Sequence, residues 1–515
     1  MKGGKFVGSR YVLAIDQGTT GTKALLVDEE GEVVSSAYRE HRQIYPFPGW
    51  VEHDLEEIWQ KILEVTGECL ARAGVTAKQI ASVGLSNQGE TVAAWSRKTG
   101  KVLHNAIVWQ CRRTARRAEE LAQNEKLNEL IRRRTGLVVD CYFSATKLEW
   151  LLQNVAPVQE AYRQGDLVLG TLDSWMIFRM SGGKELVTDP STASRTMLFN
   201  IHELQWDQEI AGFFNFNLEL LPPVKNTIGY LGHTDPDSFL GIEAPICGSA
   251  VDQQAALFGQ ACLSPGQMKN TYGTGCFMLL NTGSKAVLSG NGLLTTVAWS
   301  RDGKATYALD GGVYTAGSAI QWLRDGLGII SSPQETEAMA LAVEDNGGVY
   351  FVPAFSGLAA PHWDMWARGT ILGLTGYSRK EHVVRATLEA IAYQVRDVAE
   401  CMAKDLGQPL SVLRVDGGPT KNNFLMQFQS DILGIPVEVA GVTDITAMGA
   451  AYMALIGAGL WEDTTCVAGK WKARRVYEPS MPADQREKLF HDWHKAVERA
   501  RNWEREVRNN GPQRV

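Results

Sequence analysis

A chain of 515 residues, 44% hydrophobic and 21% charged, is too long for one core and ordinary in composition for a soluble globular protein, so two or more domains are expected. Its formal net charge of −7 argues against nucleic acid as a main partner, and the basic cluster at 470–475 is too short to reverse that.

The first informative stretch reads as strand, tight turn, strand: an apolar run at 11–15, a Gly/Thr turn, and an alternating run at 23–27. Glycine and threonine leave backbone N–H groups and hydroxyls free to close around an anion. Asp16, at the strand end, is a candidate ligand for a divalent cation that keeps much of its water shell. Lys23 adds positive charge nearby. An ordinary hairpin with a polar turn is the alternative on this stretch alone.

Residues 32–38 read as a third strand, 54–73 as an amphipathic helix capped by Asp54, and 80–85 as an apolar strand. That strand ends in the polar run Ser86-Asn87-Gln88-Gly89-Glu90-Thr91. Polar groups just past a strand's carboxyl end are where open α/β sheets bind ligands. Further on, 105–110 reads as a strand, 111–114 as the start of a basic helix, 135–147 as a segment carrying Asp140 and Tyr142, and 168–180 as strand then helix.

An apolar strand begins at Pro245 and runs into Gly248-Ser249-Ala250-Val251-Asp252-Gln253. Asp252 sits where strand gives way to an Ala-rich helix. A carboxylate there stays ionised beside the helix N-terminus and is placed to take a proton from a substrate hydroxyl, or simply to cap the helix. Residues 268–280 then repeat the opening layout around Tyr272-Gly273-Thr274-Gly275, followed by strands at 295–300 and 305–310 and a helix at 316–327. The recurrence predicts a duplicated pair of domains whose Gly/Thr turns clamp a nucleoside triphosphate.

The remainder reads as a strand at 349–355, a long helix at 381–406, and a strand at 413–415 that enters Asp416-Gly417-Gly418-Pro419. Bare backbone there allows close approach to a base or phosphate. A helix at 423–433, a strand at 437–439, a tightly packing helix at 446–460 and a solvated amphipathic helix at 485–508 complete the chain. The apolar run 449–461 is too short to span a bilayer, so no membrane insertion is expected. The eight cysteines form no C-x-x-C pair, and residues 1–10 lack the apolar core of a signal peptide, which fits a reducing, cytoplasmic setting. With no low-complexity linker, the domain boundary falls near Gln260, giving domains 1–259 and 260–515.

Seven motifs then align in order over nearly the whole chain. They are Asp16-Gln17-Gly18-Thr19-Thr20; Pro48-Gly49-Trp50-Val51-Glu52-His53-Asp54; the run from Asn105 to Thr114; the run from Ala193 to Asn200; the run from Asp252 to Gly259; the run from Asn270 to Phe277; and Val415-Asp416-Gly417-Gly418 with the run from Asn422 to Gln427. In these the chain resembles the FGGY carbohydrate kinases, most closely those acting on glycerol. The resemblance implies an α/β fold of two actin-like (ribonuclease H-like) domains with the active site in the cleft between them, and a homo-oligomer, dimer or tetramer. It implies ATP and Mg²⁺ as cofactors, and phosphoryl transfer to a terminal hydroxyl of glycerol or a close relative. Such transfer is mostly positioning plus charge stabilisation.

Carried onto this sequence, the resemblance makes Asp252 the general base and Asp16 the anchor of Mg²⁺ through its waters. Thr19, Thr20 and Lys23 hold the β- and γ-phosphates, with Lys23 where the family often has arginine. Thr274 meets the phosphates from the other domain, and Gly317, Gln321, Gly418 and Asn422 line the nucleotide pocket. Glu90, Trp109, Tyr142, Asp252, Gln253 and Phe277 match the polyol pocket. Its arginine is missing: Gly89 stands in that place. The loss removes a charge-assisted contact of roughly 1.5–3 kcal/mol and the volume of a long side chain.

Two outcomes follow. Either the pocket takes a longer polyol or sugar, such as a tetritol, a pentitol or a xylulose-like ketose, or water or a neighbouring side chain fills the gap and glycerol still binds. Val251 also stands where the family usually has glycine, and its branched side chain restricts the backbone beside the base. The rival from another class is a non-kinase actin-like ATPase. Glu90, Trp109 and Tyr142 speak against it, because a scaffold needs no hydroxyl-binding pocket.

Overall fold

The computed structural model describes residues 10–505. The opening strand Tyr11–Gln17 pairs antiparallel with Gly21–Asp28, from Tyr11↔Asp28 to Gln17↔Thr22. Both strands carry unbroken apolar runs, which require cover on both faces. Leu13, Ile15, Ala24 and Leu26 pack against the helix Leu55–Ala73. Val12, Ala14, Leu25 and Val27 pack against a helix from much later in the chain, Ile445–Gly457. Asp54 caps the earlier helix as expected, accepting from the N–H groups of Glu56 and Glu57.

Each half of the molecule runs the same course. In the first, the sheet order is Val33–Glu40, Gly21–Asp28, Tyr11–Gln17, Ile80–Asn87, Pro245–Val251, with the hairpin strands antiparallel and the last two parallel to Tyr11–Gln17. In the second, Lys304–Val313, Cys276–Gly283, Met268–Tyr272, Leu413–Gly417 and Val437–Ala440 repeat that order and those directions. The halves join through Leu294–Arg301 and Ile228–His233 into one 13-stranded sheet.

In both halves the fifth strand feeds a helix, Asp252–Gly259 in the first and Ile445–Gly457 in the second. These two helices cross at bare backbone. A Cβ on Gly259 would stand 2.3 Å from the Ile445 carbonyl oxygen, and one on Gly449 would stand 1.9 Å from that of Ala255. The later helix also rests on the first half's sheet, where a Cβ on Gly84 would stand 2.3 Å from the Ala450 carbonyl oxygen. The duplicated two-domain α/β architecture expected from the recurrence is therefore present, with one helix of the second half laid across the first.

The strand that begins at Pro245 runs to Val251, so the Gly/Ser/Ala run before Asp252 is closely packed strand, and Asp252 stands where it gives way to the helix. The helix behind it leaves no room for larger residues: a Cβ on Gly248 would stand 2.9 Å from Met453 Cβ. Several elements differ from the sequence reading. The strand expected at 105–110 is Val102–Ile107, and residues 111–114 form a turn before the helix Ala115–Ala122. A second sheet of Glu52–His53, Val102–Ile107, Val92–Ser96 and Leu167–Thr171 carries a strand, Val92–Ser96, that the sequence reading passed over. The C-terminal helix runs Ala483–Ala500 and buries Phe490, Trp493, Ala496, Val497 and Ala500. The ends of the readings at 1–10 and 485–508 lie outside the described residues, 1–9 and 506–515. Among the described residues no helix is long and apolar enough to cross a membrane.

Candidate active site

The two Gly/Thr turns are built alike. The Gly18 N–H donates to the Gly21 carbonyl at 3.0 Å, and the Gly273 N–H to the Gly275 carbonyl at 2.8 Å. The glycine closing each turn faces a carbonyl of the third strand. A Cβ on Gly21 would stand 2.6 Å from Arg39 O, and one on Gly275 would stand 2.3 Å from Val313 O. Thr20 and Thr274 are exposed at the turns, while the Thr19 hydroxyl accepts from Trp109 Nε1 at 2.9 Å.

The first turn is braced from behind. Gln43 Nε2 donates to Thr19 O at 2.9 Å and Gln88 Nε2 to Gly18 O at 3.4 Å. His53 lies between these amides, with Nε2 2.8 Å from Gln43 Oε1 and Nδ1 3.2 Å from Gln88 Nε2. The ring therefore donates from Nε2 and accepts at Nδ1, which fixes the neutral tautomer. Burial, then the neighbouring His41, pushes its pKa down to about 3. Beside it Glu52 accepts from Arg113 at 2.6 Å, and that guanidinium lies 3.9 Å over the Trp50 ring. Through His53 the motif from Pro48 to Asp54 thus supports the turn.

The second turn seats a helix. The Thr274 carbonyl accepts from the Ala316 and Ser318 N–H groups at 2.9 and 3.1 Å, and the Gly273 carbonyl from Gly317 at 3.0 Å. A Cβ on Gly317 would stand 2.5 Å from Gly273 O, so only glycine fits where the helix Gly317–Asp325 meets the turn. Gln321 is exposed on that helix. Gly417, at φ 100°, would bring a Cβ within 2.0 Å of Tyr272 O, and Gly418 is exposed beside it. Asn422 caps the helix Asn423–Leu433 through Oδ1, 2.9 Å from the Leu425 nitrogen, and donates from Nδ2 to Thr336 Oγ1 at 3.1 Å. Both polar ends of Asn422 are thus held within the protein.

Between the halves, Trp109 packs edge-on to Tyr142 at 5.7 Å and to Phe277 of the second half at 6.5 Å. Glu90 adopts φ 60° and is buried; its carboxylate accepts from Arg195 Nε at 2.6 Å. Arg195 in turn lies 2.9 Å from Asp310 of the second half. Burial pushes the Glu90 carboxyl up, and Arg195 opposes that. Neighbouring side chains stand against Gly89: a Cβ there would meet Val251 Cγ1 at 3.0 Å and Arg195 Cγ at 3.7 Å.

Asp252 opens its helix, and its Oδ1 accepts from the Gln253 N–H at 2.7 Å. Burial, then the charges of Asp16 and Glu90, push its pKa up to about 7, against the pull of Lys269. Burial thus outweighs the helix N-terminus that was expected to keep the group ionised, and a carboxyl poised near neutrality suits a general base. Asp16 accepts from Ser86 Oγ at 2.9 Å, and burial raises it as well. Lys23 lies beside Asp16 in the site but pairs with the carboxylate of Asp444.

Models of the two FGGY domains, the N-terminal and C-terminal domains of the FGGY family of carbohydrate kinases, match residues 11–259 and 268–458. The chain belongs to that family. It is 54% identical over 496 residues to glycerol kinase 2 of Thermotoga maritima, covering 96% of this chain and 100% of that one. It is 53% identical to the glycerol kinase of Caldanaerobacter subterraneus subsp. tengcongensis, covering 97% and 100%. Among solved structures, Plasmodium falciparum glycerol kinase with ADP superposes with a TM-score of 0.89 at 38% identity, covering 96% of this chain and 99% of that one.

In this FGGY kinase the sequence reading gave no role to four charged residues that pair around the site: Arg195, Lys269, Asp310 and Asp444. Lys269 had a signal. A lysine inside a buried strand, Met268–Tyr272, must find partners, and it donates to Thr271 Oγ1 at 3.0 Å, Phe277 O at 3.2 Å and Gln253 Oε1. Arg195 stood inside a motif that carried the resemblance, but nothing in its spacing pointed to Glu90, 105 residues earlier.

Proposed function

We propose that this ATP-dependent kinase phosphorylates a terminal hydroxyl of glycerol. The observation that carries the reading is Asp252. Burial and the charges of Asp16 and Glu90 raise its carboxyl to about 7, within electrostatic reach of Glu90 and Tyr142, and Tyr142 packs on Trp109. As the substrate oxygen attacks the γ-phosphorus, its proton passes to Asp252; the new O–P bond forms, the β–γ bridging bond breaks, and ADP leaves. Glu90, Trp109, Tyr142, Gln253 and Phe277 hold the triol. Thr19, Thr20 and Lys23 from one side and Thr274 from the other receive the phosphates, and Gly317, Gln321, Gly418 and Asn422 border the nucleotide.

Burial first, then neighbouring carboxylates, raise both Asp252 and Asp16. Among the described residues no group of three or more His, Cys, Asp or Glu is set to hold a metal ion, so the protein offers a cation a lone carboxylate rather than a full ligand set. Asp16 would hold Mg²⁺ through its waters, and the ion would supply charge neutralisation for the phosphates. The same reading makes the protein a cytoplasmic homo-oligomer divided near residue 259. Free thiols at all eight cysteines favour a reducing compartment.

A longer polyol is the weaker alternative: the relatives at 53–54% identity are glycerol kinases, and Val251 and Arg195 stand close against Gly89. ADP release measured with glycerol, erythritol, xylitol and xylulose tests the reading: glycerol should give the highest kcat/KM. Turnover indifferent to every polyol and sugar would leave only a bare ATPase. Asp252→Asn should lower kcat by about 10²–10⁴-fold with ATP affinity largely kept, and near-normal turnover would remove Asp252 from its role.

A further inference from the structure

We propose that Gly89 and Val251 are a matched pair that sets the length of the polyol pocket, while Arg195 supplies from the far side the guanidinium that Glu90 requires. The inference rests on the polyol reading of the cleft and extends it to substrate length.

Glycine at 89 is not demanded by the backbone, since its φ lies outside the left-handed region that favours glycine. A neighbour demands it. A Cβ would meet Val251 Cγ1 at 3.0 Å and Cγ2 at 3.7 Å. Val251 cannot easily yield: it is 2% exposed, its N–H is bonded to Ser191 Oγ at 3.1 Å, and its branched side chain is stiff at χ1. It also immediately precedes the base. On the polyol reading, its methyl groups are what a fourth carbon would meet beside the base.

The guanidinium that meets Glu90 is that of Arg195. Arg195 reaches Glu90 through Nε at 2.6 Å, and the centre of its guanidinium lies 5.5 Å from the Phe143 ring and 6.0 Å from that of Tyr142. Its other edge faces Asp310 at 2.9 Å, so the group orienting Glu90 also touches the second half. A fully buried carboxylate stays charged only when paired in this way. Arg195 is thus a positioning residue that acts through Glu90.

The test is a mutant cycle in the full-length enzyme. Val251→Gly should lower kcat/KM for glycerol by about tenfold, mainly through KM, and raise that for erythritol by at least about threefold. Gly89→Arg alone should lose about tenfold or more on glycerol, and the double variant Gly89→Arg/Val251→Gly should recover most of that loss. A double variant equal to the product of the singles would overturn the pairing. Should Gly89→Arg fold poorly, the cycle is read in Tm without substrate: Val251→Gly must rescue Gly89→Arg, and additive Tm changes refute the pair.

Arg195→Lys keeps charge but loses the planar fork. It should raise the glycerol KM by about tenfold while the ATP KM stays within about twofold; equal rises in both would make Arg195 merely structural. Wild-type enzyme inert toward all polyols would sink the polyol reading, whereas the Tm cycle judges the pairing by itself.

Discussion

Lys269 of the second hairpin donates to the amide oxygen of Gln253, at the start of the helix that carries the base in the first half. An amide that gives its oxygen to a lysine turns its NH₂ group the other way. Gln253 is therefore held as a donor beside Asp252, which acts as an acceptor. Lys269 is also the cation that pulls the Asp252 pKa down. Lys269→Met should raise the glycerol KM by about tenfold through a loosened Gln253, and should move the acid limb of kcat/KM to higher pH. A pH profile coinciding with that of the wild type would show that Lys269 does not reach the base electrostatically.

The same carboxyl fixes the pH dependence of rate. With its pKa near 7, Asp252 is mostly protonated at pH 6 and cannot accept the substrate proton. The kcat/KM profile, which reports the free enzyme, should fall about tenfold per pH unit below that point. Stability moves the opposite way. The native carboxyl binds its proton more tightly than the ordinary value of 3.8, so between about pH 4 and 7 the folded state holds more protons than the unfolded. The Asp252 contribution therefore favours folding at low pH and is lost as pH rises to about 7. Asp252→Asn, which cannot ionise, should have a higher Tm than the wild type at pH 8 and no advantage at pH 4. A lower Tm at pH 8 would mean that the carboxylate is stabilised in place, contrary to the sign of its shift.

The lysine contact occurs twice, crosswise. Lys269 belongs to the second hairpin and meets the helix after the first half's fifth strand; Lys23 belongs to the first hairpin and meets Asp444, just before the helix after the second half's fifth strand. Both partners of the second contact are partly exposed, so the pair itself is worth little. Its consequence is competition, because Lys23 cannot serve Asp444 and a phosphate fully at once. Lys23→Ala should raise the ATP KM by about tenfold with the glycerol KM little changed. Asp444→Asn should release the lysine and lower the ATP KM by about two- to fivefold. Weaker ATP binding in Asp444→Asn would instead make Asp444 a supporter of the nucleotide.

How much of this was legible beforehand divides by range. Turn chemistry and apolar runs placed both hairpins, and Met268–Tyr272 paired with Cys276–Gly283 stands where the second was expected. The motif run around Asp252 pointed to the base, at the place where strand gives way to helix. What stayed hidden was pairing across the chain. Gly89 reads as a loss until Val251, 162 positions later, is seen against it, and a histidine such as His53 shows its role only between Gln43 and Gln88. Local propensity carries no information on such partners; the fold alone brings them together.

The crossing of the two linking helices has a measurable consequence. Gly449 meets the backbone of Ala255, three residues beyond Asp252 on the same helix. A methyl group there, 1.9 Å from a carbonyl oxygen, cannot be accommodated without shifting that helix. Gly449→Ala should therefore cost about 1–3 kcal/mol or more in stability and also displace the base, lowering kcat by about tenfold. Gly84→Ala provides the comparison. It presses on the same later helix at Ala450, 2.3 Å from its carbonyl, but from the sheet rather than from the base helix. It should lower Tm with a much smaller effect on kcat. Denaturation curves and steady-state rates on both variants decide the matter. Equal losses of kcat would mean that the crossing holds the fold together without aiming Asp252, whereas a selective loss in Gly449→Ala ties the position of the base to the contact between the halves.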